Sequence, residues 1–465
     1  MTFPAALMGV AAGAILAGVV GYAVARFFSS GLTRAETLAW SFATGVLVQA
    51  TLFLVVVAVL PGRARLPLAA ADVAIIAASF GMRRPAAFRP GRAWKAGPGG
   101  RRPLVVALLT IAAAAFLLFF VSALSEPMWA TDYLAMWGLK GKTIFETGFV
   151  PRRLFQDPAL AWGRPDHPLL VPLSLAALAS LSGGWNDQAL ALLFPLCELA
   201  TILAVWGFLW RRVSALAGAS AAALVSLSFP LYRAATAGLS EIPLALGLVL
   251  ASSAFLDALG SGSRSVRTKL FFASLLCAWA KPEGAVYVLL LAGVLWVRHR
   301  GRPVETWKSG GWALVVPPVL QASLMFLLAR PLPQHDFDPT FLEPRRWSEL
   351  LPRSGAVLAR IFTTEVVRAW VPILAIGLFF LLTRRGLADS LLAVLALQVL
   401  GYFAAFSIST YDPTWKVDSC FQRLVATLYP PFALVLAARI GAQRGVGVVG
   451  GHAKPPVDMT ASSTG

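Results

Sequence analysis

The chain has 465 residues, 58% of them hydrophobic and only 13% charged, with a mean hydropathy of +0.72, which excludes a soluble globular domain. The net charge of +18 does not point to nucleic acid, because the basic residues sit in short connections between apolar runs rather than along one polar face. Three cysteines, Cys197, Cys277 and Cys420, stand far apart in the sequence and suggest neither a disulfide framework nor a metal cluster.

Apolar runs follow one another at 4–25, 38–60, 66–81, 104–125, 187–210, 214–232, 239–257, 312–329, 367–382, 387–409 and 421–439. Crossing the hydrocarbon layer takes ~20 apolar residues, and lipid offers no partner to an unpaired backbone group, so each run predicts a helix. The expected fold is all-α, a polytopic membrane protein with about 11–13 transmembrane helices. The first run has no basic residue before Arg26 and no polar break soon after, so it reads as a retained span rather than a cleaved signal. Three regions are expected: residues 1–103 with extra transmembrane helices and a basic loop, a core over 104–440 with a polar excursion at 126–166, and a disordered small-residue tail over 441–465.

Basic residues orient the spans. "RRPAAFRPGRAWKAGPGGRR" holds seven basic residues and no acid, and "GSGSRSVRTK", "RHRGRPVETWK" and "TRRG" are also basic, which assigns these connections to the cytoplasm. Residues 125–166 and the loops near Ala234 and Tyr411 then fall on the outer side. The parity closes if "HPLLVPLSLAALASLSG" forms a short helix that stays at the outer side. It also requires that residues 270–297 form two short helices meeting at the polar apex "KPEG", Lys281 to Gly284.

Charges are scarce, and several gather at the outer side. The excursion "ATDYLAMWGLKGKTIFETG" carries Asp132 where the chain leaves the bilayer. Tyr133, Met136, Trp137 and Ile144 lie close to one helical face, with Lys140 and Lys142 turned toward headgroups or phosphate. Arg233 and Glu241 bracket one outer loop, Lys281 and Glu283 sit at the apex, and Arg423 opens the last span. A charge within the hydrocarbon region costs ~2.5–3.5 kcal/mol on insertion scales, so such placements point to function, although structural pairs such as Lys281 with Glu283 or Arg233 with Glu241 account for them equally simply. Acids and cations together suit chemistry on a phosphate-linked substrate, with carboxylates to take a proton and cations to hold a leaving phosphate.

The run Asp132, Trp137, Lys140, Lys142, then "FETG" and "PDHPLLVPLSLA", resembles the first outer loop of bacterial membrane glycosyltransferases of the GT-C superfamily, relatives of the protein O-mannosyltransferases and the lipid A aminoarabinose transferase. "LSEIPLAL", "AKPEGAVY" and "QRLVATLYPPFAL" are similar to later motifs of that family, in the same order, over about Met128 to Ala437. The chain departs from the family in the roughly 100 residues, with three further apolar runs, that precede the span at 104–125. The resemblance implies inverting transfer of a sugar from a polyprenyl-phosphate donor to a lipid, glycan or protein acceptor at the outer face of the inner (plasma) membrane. By the same likeness Asp132 is the general base, Glu241 a second carboxylate for the acceptor or a metal, and Lys281 and Arg423 hold the donor phosphate, with Arg233, Lys140 and Lys142 beside them. Trp137, His167 and Glu283 line the substrate cavity, His167 in a capping role. No glycine-rich nucleotide loop is expected and none occurs. These residues fix no cofactor, and the resemblance leaves room for a divalent metal. Metal dependence varies across the superfamily, and two separated carboxylates define no metal site. Two other readings fit the same charges: a lipid or lipid-linked sugar flippase, and a polymerase or ligase of lipid-linked oligosaccharide that would use the large loop over 330–368.

Overall fold

The computed structural model describes residues 2–62, 64–82, 102–157, 160, 163–165, 167–260, 262–328, 339–363 and 388–443. The basic stretch after Met82, the apolar run at 367–382 and the tail beyond Gln443 lie outside the described residues. Every described element is helical and no strand occurs among the described residues. Seven described helices are long and apolar enough to cross a membrane, and two bent pairs bring the number to as many as nine.

The first two helices, α1 (Phe3–Ala25) and α2 (Arg34–Val59), pack closely because glycine removes the side chain where they cross. A Cβ on Gly21 would stand 1.8 Å from the Ser41 carbonyl oxygen, and one on Gly45 would stand 2.0 Å from that of Ala17. Small residues allow this approach in a membrane, where apolar bulk gains nothing by leaving lipid. α2 begins with a capping box: the Thr33 hydroxyl accepts from the Glu36 amide at 3.1 Å, and the Thr33 amide donates to the Glu36 carboxylate at 2.9 Å. Helix α3 (Arg65–Gly81) packs against both, tied by Gln49 Nε2 donating to Asp72 at 2.6 Å. Helix α4 (Arg102–Ser125) leaves most of its surface to lipid.

The two ends of the bundle differ. At one end Arg211 reaches Glu36 at 2.8 Å and Asp257 at 3.2 Å, Lys269 reaches Asp257 at 2.8 Å, and Arg267 donates to the Lys308 carbonyl at 2.8 Å. These residues border the basic connections. At the other end the Gly62 amide donates to the Gly148 carbonyl at 3.1 Å, and Gln188 donates to the Leu124 carbonyl at 2.8 Å.

Three departures from plain spans position the site. Residues 133–147 begin with a π-turn, Tyr133–Trp137, and continue as α5 (Gly138–Thr147), with Tyr133, Met136, Trp137 and Ile144 all buried. The apolar helix α6 (Leu170–Ser182) is only 13 residues long and almost wholly buried. It ends with Ser182 against Gly9 and Gly183 against Arg65, at the end of the bundle opposite the basic connections. The "KPEG" segment joins two 17-residue helices that follow α7 (Leu193–Arg212), α8 (Ala215–Ser226), α9 (Phe229–Thr236) and α10 (Glu241–Gly260). They are α11 (Arg264–Ala280) and α12 (Pro282–Arg298). Lys281 between them is extended, Pro282 opens α12 where its missing N–H costs nothing, and a Cβ on Gly284 would meet the Cys277 carbonyl oxygen at 2.2 Å. The expected polar apex is therefore a tight helical hairpin.

Candidate functional site

Asp132 stands at the N-terminal edge of the π-turn, whose wider coil is held from behind. The Tyr133 hydroxyl donates to Asp187 at 2.6 Å, and Trp185 Nε1 donates to the same oxygen at 2.9 Å. Burial and the neighbouring Asp187 carboxylate push the Tyr133 phenol well above its ordinary range, so it remains a donor. Gly138 is required here, since a Cβ would lie 2.7 Å from the Tyr133 ring. Behind Asp132 the Trp137 ring packs 5.5 Å from that of His167.

Glu241 is the first residue of α10 and is only 1% exposed. It accepts from Lys281 Nζ at 3.0 Å, and Arg423 Nε lies 3.8 Å away. Lys281 is also 3.7 Å from Glu283. Arg423 belongs to the short helix Gln422–Thr427, which follows another π-turn, Val417–Phe421. Its Nη1 donates to Asp132 at 2.5 Å. Five side chains from four parts of the chain thus form one row, Glu283, Lys281, Glu241, Arg423, Asp132, with carboxylates and cations alternating.

This row lines a cavity of about 640 Å³. Of the residues singled out in the sequence, Asp132, Trp137, His167, Arg233, Glu241, Lys281, Glu283 and Arg423 all border it. Arg233 is exposed at its wall and forms no ion pair with a described residue, so the expected alternative of an Arg233 to Glu241 pair is not formed. Lys140 and Lys142 do not border it. Lys140 is buried, donates to the Arg164 carbonyl and lies 5.6 Å from the Phe155 ring centre, because the chain folds back over α5 at residues 163–165. Lys142 is half exposed, 4.0 Å from Glu146 on the outside of the same helix. Neither residue is among those that line the cavity, so the structure does not bring them to the row of charges.

Sequence reasoning missed Arg164, Lys416, Asp418, Trp415 and Tyr402, which also line the cavity. The "DPTWK" stretch carried a signal for two of these, because Asp412 caps a helical turn by accepting from the Trp415 amide at 2.9 Å and so fixes Trp415 and Lys416. Tyr402 lies inside an apolar helix and gave no signal of its own. Arg360, from the amphipathic helix Trp347–Thr363, grips Asp418 through two bonds of 2.7 and 2.6 Å. Among the described residues the lining holds five cations, Arg164, Arg233, Lys281, Lys416 and Arg423, and four acids, Asp132, Glu241, Glu283 and Asp418.

Such a cavity suits an anionic ligand with polar attachments: guanidinium groups bind phosphate by paired hydrogen bonds, and the carboxylates accept protons. Among the described residues no group of three or more His, Cys, Asp or Glu side chains stands close enough together to hold a metal ion. No family model, curated protein or solved structure matches the chain.

Proposed function

We propose that this chain is a membrane glycosyltransferase that takes a sugar from a polyprenyl-phosphate donor and passes it, with inversion, to an acceptor at the outer face of the plasma membrane. The observation that carries this reading is the meeting of Asp132, Glu241, Lys281, Arg233 and Arg423 at one cavity, at the end of the bundle away from the basic connections. Under the rule that basic loops stay in the cytoplasm, that end faces outward.

In this mechanism the donor phosphate, which carries one negative charge as a diester, enters between Lys281 and Arg423. Arg423 turns from Asp132 to the phosphate, and the freed carboxylate accepts a hydrogen bond from the acceptor hydroxyl. The acceptor oxygen attacks the anomeric carbon, its proton passes to Asp132, and the bond from carbon to phosphate oxygen breaks with its electrons going to the phosphate. The polyprenyl phosphate leaves as a monoester with a second negative charge, which Lys281, Arg423 and Arg233 stabilise as it develops. Glu241 keeps Lys281 charged and aimed, and so positions rather than reacts.

The test is transfer from radiolabelled polyprenyl-phosphate sugars into a membrane lipid extract by the purified protein in nanodiscs. Wild type should transfer label and Asp132→Asn should lose at least about a hundredfold, the lower end of what a positioned general base supplies. Undiminished transfer by Asp132→Asn removes the base. Movement of lipid across the bilayer with no transfer from any donor identifies a flippase instead.

A further inference from the structure

We infer that Glu283 and Tyr402, backed by Gln398, form the subsite that reads the hydroxyls of the transferred sugar, a neutral polyol carried on the donor lipid. The inference rests on the glycosyl-transfer reading and deepens it, because it separates the part of the cavity that holds phosphate from the part that recognises the sugar.

The argument begins with unmet hydrogen bonds on one wall. Glu283 lies one residue after the Pro282 that opens α12; its Oε1 faces Lys281, while its Oε2 is buried and has no hydrogen-bond partner. Gln398, on the facing helix Ala388–Ser407, is 2% exposed and donates through Nε2 to the Glu283 backbone carbonyl at 3.2 Å. Its Oε1 is buried and unpartnered. Tyr402 lies one turn further along that helix and is 5% exposed; Gln398 and Thr427 stand beside its hydroxyl, yet neither completes a hydrogen bond to it. Both Glu283 and Tyr402 border the cavity.

Counting donors and acceptors shows which ligand this wall fits. Glu283 Oε2 is an unmet acceptor of a residue at the cavity, Gln398 Oε1 is a second one behind it, and Tyr402 brings a single O–H. A small shift that joined Tyr402 to Gln398 would still leave the carboxylate oxygen in need of a donor. A phosphate diester offers only acceptors and an alkyl chain offers nothing, whereas a sugar offers several O–H groups in a small volume. Buried polar groups left unpaired reject ligands that cannot satisfy them, so the wall selects for hydroxyls. Its location fits the donor in particular: Glu283 is a contact neighbour of Lys281, and the group attached directly to a phosphate held by Lys281 falls within reach of it.

Binding of bare polyprenyl phosphate and of the same lipid carrying glucose, mannose, galactose or arabinose, measured by native mass spectrometry on wild type, Glu283→Gln and Tyr402→Phe, tests the assignment. At least one sugar-bearing lipid should bind wild type about tenfold more tightly than the bare lipid, the worth of a small number of hydrogen bonds. Tyr402→Phe should shrink that preference severalfold and leave the affinity for bare lipid unchanged; Glu283→Gln should also shrink it severalfold, while the effect of the lost charge on Lys281 falls on both lipids alike. Equal affinity of wild type for bare and sugar-bearing lipids overturns the subsite while leaving the phosphate site standing. Equal losses for both lipids in the variants also overturn it, because Glu283 would then act only through Lys281. Failure of wild type to bind any of these lipids removes the donor class, and the subsite with it. Tyr402→Phe removes one oxygen and little volume, so its folded state supplies the control if Glu283→Gln does not fold.

Discussion

Asp132 and Arg423 lie 291 residues apart and share a hydrogen bond, and each flanks a π-turn that widens the helix beside it. Such residues could be picked from the sequence because an apolar chain carries few charges, and each one near lipid has to be matched by a partner. What the sequence could not show is which partner each would take. Lys140 has the same spacing signal as a phosphate-facing lysine, but its amine bonds to the Arg164 carbonyl, a contact made by a return of the chain 24 residues later. Lys140→Met should therefore lower stability by about 1–3 kcal/mol, the cost of stranding a buried partner, while Lys142→Ala should change neither stability nor donor binding measurably. Thermal unfolding and lipid binding check both, and a large loss of binding in Lys142→Ala would restore that residue to the site. Tyr133→Phe should cost about 1.5–3 kcal/mol, because the hydroxyl bonds to a carboxylate. Since the folded phenol titrates above its unfolded value, its contribution is fully present below about pH 10 and fades above that, as the unfolded chain's phenol ionises. The stability difference between wild type and Tyr133→Phe should thus be flat from pH 6 to 9, and a difference that grows with pH would contradict the assignment.

The helical hairpin at Lys281 was legible at the scale of elements, since a proline at the start of a helix and a glycine two residues on mark a break in an otherwise apolar stretch. The short helix Leu170–Ser182 was legible for a similar reason, being too brief to cross. The π-turns were not, because a single extra residue in a helical coil leaves no trace in hydrophobic spacing. Gly284 tests whether the tight hairpin matters: Gly284→Ala puts a methyl against the Cys277 carbonyl, which displaces Lys281 from Glu241. Both stability and transfer should fall clearly. Gly293→Ala, on the same helix with nothing within 4 Å of the added carbon, should leave both unchanged. Parallel behaviour of the two variants in thermal unfolding would show that the hairpin is loose.

The whole bundle is polarised, with structural charge at one end and the cavity at the other. Near the basic connections Asp257 joins Arg211, Arg212 and Lys269, and Arg211 extends the network to Glu36, so that α2, α7, α10 and α11 are tied together. Removing the acid leaves Lys269 buried without its partner, so Asp257→Ala should destabilise by about 3–5 kcal/mol, read as a fall in the unfolding midpoint. Because this network lies at the far end from Asp132, phosphate binding in the surviving folded fraction should be unaltered. Hydropathy sufficed to anticipate the all-helical architecture, because lipid leaves the backbone no other way to satisfy its polar groups. The depth of the cavity and the identity of its wall depend on how helices pack sideways, which composition does not encode.

The most direct test of the central claim, a phosphate-binding cavity that opens outward, is thiol labelling at Thr131, an exposed residue of the cavity lining. Cys420 is first replaced by serine, since Cys197 and Cys277 are buried and Cys420 is not. Thr131→Cys is then treated with a membrane-impermeant maleimide on intact cells, with and without added polyprenyl phosphate. The account predicts labelling from outside and protection by the lipid. Labelling only after the cytoplasmic face is opened, or labelling that the lipid does not slow, would contradict it.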